Sequence, residues 1–234
     1  MLKIDLHVHT YRSPDCLMRP EVIIQAAQRR GLDGLAITDH NTIAGALELA
    51  KVAPFIIIIG EEIRTPQGEI IGLFLHEEIP PGLSPEETIR AIRRQGGVVY
   101  LPHPLDRLRR SPLKQQTLYA ILDQVDAMET FNARMTLPQD NLRARRLAAE
   151  RGLPGGGGSD AHSPFEIGHA YVKMPAFSGR EDFMRQIAHG HVEGRLSPWW
   201  VHFFSVWARA YKRSSLRPDW FRETCRVLVR GGSR

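Results

Sequence analysis

Apolar residues recur along the chain in short strand-like runs separated by helical patterns. Residues 2–8 alternate in strand fashion, and 34–38 form a second short run. Residues 55–59 (Phe-Ile-Ile-Ile-Ile) are continuously apolar and β-branched, as in a strand buried on both faces. Further strands are predicted over 69–75, 98–101, 126–131 and 170–173. Helices are predicted over 20–30, with Pro20 at the start and Gly31 past the end, and over 42–51, 113–124, 137–151 and 179–189. Another begins at Ser84-Pro85-Glu86-Glu87, which supplies an N-cap, a first-turn proline and a capping-box glutamate, and runs to Gln95. Repeated β–α units predict an α/β fold with a mainly parallel sheet, open or closed into a barrel. Gly155-Gly156-Gly157-Gly158 lacks a following Gly-Lys-Ser/Thr and so is no P-loop. It reads as a tight turn.

Near the end, Trp200, Phe203, Phe204, Trp207 and Tyr211 fall on one face of a helix, with Trp199 beside them. The expected organisation is a domain over 1–195 and a C-terminal helical extension over 196–234. The aromatic face would dock on the domain or on a second copy of the chain. Arg209, Lys212, Arg213 and Arg217 would suit a lipid surface, but no stable membrane partner is expected.

Composition narrows this picture little. A chain of 234 residues, 42% hydrophobic and 24% charged, is neither disordered nor collagen-like nor membrane-embedded, and it can bury a core. A formal charge of +5 accommodates an anionic substrate without requiring one. Cys16 and Cys225 are too few for a disulfide framework, and Asp5 and His7 interrupt the first apolar run. A cytoplasmic protein without a leader is the expectation.

The histidines change the picture. His7 and His9 end the first strand, where a period of two points both imidazoles the same way, so that they can share one ion. Thr38-Asp39-His40, Gly60-Glu61-Glu62, Pro102-His103-Pro104, Glu129 to Asn132 and Ser159-Asp160-Ala161-His162 each follow another predicted strand. That edge is where parallel α/β folds build their sites. Imidazole and carboxylate without thiolate suit Zn²⁺, Mn²⁺ or Fe²⁺. Arg107, Arg109, Arg110 and Arg134 follow two of these strand ends and offer planar forks for phosphate.

His7-Val8-His9-Thr10, Thr38-Asp39-His40, Gly60-Glu61-Glu62-Ile63, Pro102-His103-Pro104 and Gly158-Ser159-Asp160-Ala161-His162 resemble, in order, the motifs of the PHP (polymerase and histidinol phosphatase) superfamily. Ile167-Gly168-His169-Ala170-Tyr171 and the Ser-Pro-Trp tail extend the resemblance over residues 1–213. It implies a distorted seven-stranded β/α barrel with two or three divalent ions (Mn, Zn or Fe) at the C-terminal mouth. By the same resemblance His7, His9, Glu62 and Asp160 hold a first ion, and Glu62 bridges to a second held also by His103. Asp15, His40 and His162 hold a third. Glu129 and Asn132 stand where a further ligand is common, His169 could line the mouth, and His76 reads as a surface residue. The implied activity is phosphoester hydrolysis by a metal-bound hydroxide. The substrate would be a nucleoside 3′,5′-bisphosphate or short RNA cut 5′→3′. The alternatives are histidinol phosphate and a non-catalytic phosphate- or nucleic-acid-binding module.

Overall fold

The computed structural model describes residues 1–109 and 113–214. Strand β1 (Leu2–Val8) is buried from Ile4 onward. It is followed by α1 (Pro20–Arg29), β2 (Gly34–Ile37), α2 (Ala44–Ala50), β3 (Ile56–Thr65) and β4 (Gly68–Leu73). Then come α3 (Pro85–Arg94), β5 (Val98–Leu101), α4 (Gln115–Ile121), a 3₁₀ turn (Leu122–Gln124) and β6 (Ala127–Asn132). After α5 (Pro138–Arg151), β7 (Gly155–Gly158), β8 (Ala170–Met174), α6 (Gly179–Ile187) and β9 (His191–Gly194), a 3₁₀ turn (Trp199–Val201) leads into α7 (His202–Arg213). The helix α3 starts where its sequence says: Ser84 accepts from Glu87 N, and Glu87 answers with a bond from Ser84 N.

Among the described residues the sheet order β7-β6-β5-β4-β3-β2-β1-β8-β9 makes a mixed α/β fold with a nearly closed, barrel-shaped sheet of nine strands, two beyond the seven of the expected barrel. The cause lies in β1. Its first residues, Leu2–Ile4, pair with β8, whereas its end meets the chain beyond β7 through a Val8–Ala161 bridge and a 2.8 Å bond from Asp160 N to His7 O. Strands β1 to β7 therefore form the barrel, and β8 and β9 extend it along the other half of β1. Nor is the sheet mainly parallel. Strands β3 and β4 are joined by a two-residue turn, too short for a crossover, so β4 runs antiparallel to both β3 and β5. One core cluster gathers Ile4, Leu6, Ile58, Leu73, Tyr100 and Phe183, and two others fill the spaces between sheet and helices.

The glycine run is a strand, not a turn. It pairs with β6, and none of its four residues has a positive φ. Glycine is needed for close approach: a Cβ on Gly156 would stand 2.2 Å from Tyr100 Oη, and one on Gly158 would stand 2.4 Å from His7 Cβ. Of the two expected docking places for the aromatic stripe of α7, the domain of its own chain is not the one used. Val201, Ser205 and Ala208 are buried, while Trp199, Trp200, Phe203 and Trp207 are exposed. Small residues let α7 lie close enough for Arg209 and Lys212 to reach the first loop, so the helix is held by polar contacts. Among the described residues no helix is long and apolar enough to cross a membrane.

Gly156→Ala should lower stability by about 1–3 kcal/mol, because the added methyl overlaps the buried Tyr100 ring. Denaturant unfolding measures this, and a change under about 0.5 kcal/mol would contradict the close-approach account.

Candidate metal centre

His7, His9, His40, Glu62, His103, Asp160 and His162 lie within or just past β1, β2, β3, β5 and β7, and their side chains converge. The register of β1 puts the His7 and His9 Nε2 atoms 3.1 Å apart. Each ring is fixed from behind. His7 Nδ1 donates to Glu129 Oε1 (3.2 Å), and His9 Nδ1 donates to Ser13 Oγ (3.0 Å), whose own hydrogen goes to Asp39 Oδ1 (2.9 Å). Glu129 is in turn held by His103 N (2.7 Å) and Asn132 Nδ2 (2.9 Å). With Nδ1 engaged, each ring turns its Nε2 into the same buried space. That arrangement calls for a cation between or beside them.

Three buried carboxylates lie among the imidazoles, Glu62 and Asp160 beside this pair and Asp15 beside His40 and His162, and each is divided in the same way. Glu62 Oε1 lies 2.9 Å from His103 Nε2, while its Oε2 faces His40 Nδ1 (3.1 Å), His9 Nε2 (3.5 Å) and His7 Nε2 (3.6 Å). Asp160 Oδ2 accepts from Arg109 Nη1 (2.9 Å) and Nη2 (3.0 Å), while Oδ1 faces His9 Nε2 (3.4 Å) and His7 Nε2 (3.7 Å). Asp15 Oδ2 accepts from Arg209 Nη2 (2.8 Å), while Oδ1 faces His162 Nε2 (3.3 Å). Among the described residues Glu62 Oε2, Asp160 Oδ1 and Asp15 Oδ1 have no hydrogen-bond partner. One oxygen of each carboxylate is anchored and the other is left bare toward imidazole. His162 joins the set through Nε2, which faces Asp15 Oδ1, while its Nδ1 lies 2.8 Å from Asp160 O and against Arg134 Nη1.

Electrostatics follow from this crowding. Burial alone would keep all these groups neutral. For Glu62 it is overcome by His40, His7 and the bond from His103, for Asp160 by Arg109 and His7, and for Asp15 by His162 and His40. All three carboxyls are held well below their usual range. Burial would also depress His7 and His40, but Asp160 and Glu129 carry His7 up, and Glu62 and Asp15 carry His40 up to about 9. His9, buried and beside His162 and His40, is pushed down to about 3. A ring forced to stay neutral is a ready ligand.

Four sets of donor atoms lie within 4.8 Å of one another: His7, His9 and Asp160; His7, Glu62 and His103; His9, His40 and His162; and His40, Glu62 and Glu69. These donors fit divalent ions of the Zn, Mn or Fe kind, since they combine imidazole with carboxylate and leave three buried oxygens unsatisfied. Cys16 is no ligand. Its Sγ donates to the His9 and His162 carbonyls, and burial pushes its thiol up. Two site residues, His103 (φ 27°) and Asp160 (φ 53°), hold left-handed backbone, a strain that fixes their direction.

The structure brings His7, His9, Asp15, His40, Glu62, His103, Asp160 and His162 together. Glu129 and Asn132 stand behind the ligands and hold them rather than face inward. The arginines divide. Arg109 reaches the cluster, Arg107 turns away to Asp140 (2.9 Å), and Arg110 lies outside the described residues. Arg134 is not a free fork for phosphate: it is buried, its Nε faces Glu166 (3.2 Å), Nη2 donates to Ser205 Oγ (2.8 Å) and Nη1 lies against His162. His169 is outside the cluster, on Ser197, and His76 is exposed. Glu69 and Arg209 escaped sequence reasoning. Glu69, a lone buried carboxylate in the apolar β4, gives a signal in hindsight, whereas Arg209 is 194 residues from Asp15 and gives none.

Two family models match this chain: the PHP domain over residues 5–95 and the PHP-associated region over residues 138–192. An uncharacterized protein of Methanocaldococcus jannaschii is 44% identical over 146 residues, covering 56% of this chain and 82% of that protein. A two-domain protein of Bacteroides vulgatus, described as containing a predicted PHP-like metal-dependent phosphoesterase, superposes with a TM-score of 0.66 at 20% identity. The match covers 83% of this chain and 65% of that one, so this chain spans less than two thirds of its length. A protein of Bifidobacterium adolescentis described as a "putative metal-dependent phosphoesterase" gives 0.58 at 20% identity, over 69% of this chain and 88% of that one. At such identities the likeness to the solved structures is one of fold. The two family-model matches carry the further conclusion: the chain belongs to the PHP-domain family.

Proposed function

We propose that this chain is a metal-dependent phosphoesterase that hydrolyses phosphate esters of nucleotides, with nucleoside 3′,5′-bisphosphates or short RNA as the substrate class. The observation that carries the reading is the set of three anchored carboxylates whose second oxygens are buried without partners among imidazoles. His7, His9, Glu62 and Asp160 would hold a first ion, Glu62 and His103 a second, and Asp15, His40 and His162 a third. When bound, such ions supply Lewis acidity and a water that ionises near neutral pH. Glu129 and Ser13 keep the His7 and His9 rings aimed, so the ligand atoms need no rearrangement. Arg109 stands at the edge of the cluster, about a fifth exposed, with N–H groups available to a phosphate oxygen. A nucleotide is accommodated by the basic balance of the chain. The described phosphoesterase folds of the Bacteroides and Bifidobacterium proteins support hydrolysis as the reaction class.

Adjacent residues of β3 separate a ligand from a bystander. Glu61 lies on the opposite face from Glu62: its Oε2 accepts from Ile79 N (2.9 Å), and burial pushes its carboxyl up to about 7. Glu62→Gln should therefore remove at least one ion per chain and lower kcat by about a hundredfold or more, while Glu61→Gln keeps metal content and turnover within about threefold. Elemental analysis and single-substrate kinetics decide it, and equal losses at the two positions would contradict the assignment.

The substrate reading is tested on metal-loaded protein with a nucleoside 3′,5′-bisphosphate, its monophosphate, a short oligoribonucleotide, histidinol phosphate and an aryl phosphate. The bisphosphate should exceed the monophosphate by about tenfold or more in kcat/KM, and a chelator should abolish turnover. Faster hydrolysis of histidinol phosphate would overturn the nucleotide reading, and no turnover of any ester with ions bound would overturn the enzyme.

A further inference from the structure

Outside the metal centre, two arginines distant in sequence converge on one buried imidazole. His169 is 7% exposed. Its Nδ1 meets Ser197 Oγ at 2.8 Å, and its Nε2 lies 2.9 Å from Arg195 Nη2 and 3.5 Å from Arg30 Nη2. A guanidinium only donates, so Nε2 is the acceptor and the ring hydrogen sits on Nδ1, directed to Ser197. Burial, then Arg195 and Arg30, push this histidine down to about 4, and the ring stays neutral. Two positive charges are gathered around it.

The place is built from the backbone outward. Gly168 holds φ +74°, which favours glycine, and a Cβ there would crowd the Arg30 stem, at 3.2 Å from Cβ and 3.3 Å from Cγ. Arg30 Nη2 also lies 3.3 Å from Phe165 O, and Arg195 N donates to His169 O (2.7 Å). The other rim arginines are neutralised: Arg107, Arg109, Arg134 and Arg209 each face a carboxylate. Among the described residues, Arg30 and Arg195 have no carboxylate oxygen within 4.0 Å.

We propose that Arg30, Arg195 and His169 form a second anion site, separate from the metal centre, that binds a phosphate dianion. Two exposed guanidiniums that meet at one neutral ring leave a charge of two, which a dianion matches and a carboxylate would half satisfy. Their unused N–H groups provide forks for tetrahedral oxygens. The source is either free inorganic phosphate or the terminal phosphate of a nucleotide. The site stands whether or not the metal centre hydrolyses esters, so the two readings fail separately.

The test is calorimetric titration of the full-length, metal-loaded protein at physiological salt, with inorganic phosphate in one arm and adenosine 5′-monophosphate in the other. Arg30→Ala/Arg195→Ala is the comparison. Both side chains are exposed, and unchanged metal content shows that the double variant is folded. Wild type should bind one more phosphate group per chain than the variant, or bind it at least tenfold more tightly, in at least one arm. Loss confined to the inorganic arm identifies free phosphate as the ligand, and loss in both identifies a phosphate monoester. Identical stoichiometry and affinity in wild type and variant, in both arms, would overturn the proposal.

Discussion

The structure depends on one constraint: three ionised carboxylates are buried within reach of the same small group of imidazoles. Removing a carboxylate from water costs several kcal/mol unless charge and hydrogen bonds replace its solvent. Here Arg109, Arg209 and His103 each satisfy one oxygen of Asp160, Asp15 and Glu62. Among the described residues the remaining oxygens have no hydrogen-bond partner and face histidine. Strain in His103 and Asp160, the packing of a side-chain-free strand against His7, and the closure of β1 on the chain beyond β7 all serve to keep these atoms converged.

The C-terminal helix belongs to this arrangement although it lies far away in sequence. Arg209 anchors Asp15, Lys212 donates to the Tyr11 and Ser13 carbonyls of the same loop, and Ser205 receives Arg134, which leans on His162. Ser13 in turn aims His9. A change on α7 can therefore reach the ligands through the first loop without touching them. This is why a face lined by Ser205 and Ala208 points inward: a bulkier residue would hold the helix off and break the reach of Arg209.

Strand-end chemistry was legible because it obeys simple periods. Two histidines one pleat apart, and acidic or imidazole residues after successive apolar runs, need no knowledge of the partner element. The boundaries of β1, β5 and α3 were legible for the same reason, being set by local alternation and a capping box. What escaped depends on what lies opposite. Four glycines look like a turn until Tyr100 and His7 are seen to occupy the space of their side chains. The short β9 carries little apolar signal and is mostly exposed. Arg134 follows a strand end as a phosphate ligand would, yet Glu166 and Ser205 take its donors. The aromatic periodicity of α7 correctly marked a helix, but its inner face was chosen by the small and basic residues.

The central claim is that Glu62 Oε2, Asp160 Oδ1 and Asp15 Oδ1 are bare because metal ions complete them. Anomalous diffraction from crystals grown with manganese or zinc, recorded at the absorption edge, reads this directly. The account predicts at least two anomalous peaks per chain, one of them about 2.0–2.3 Å from Glu62 Oε2 and another at Asp160 Oδ1 or Asp15 Oδ1. Peaks elsewhere, or none within coordination distance of Glu62, would contradict it.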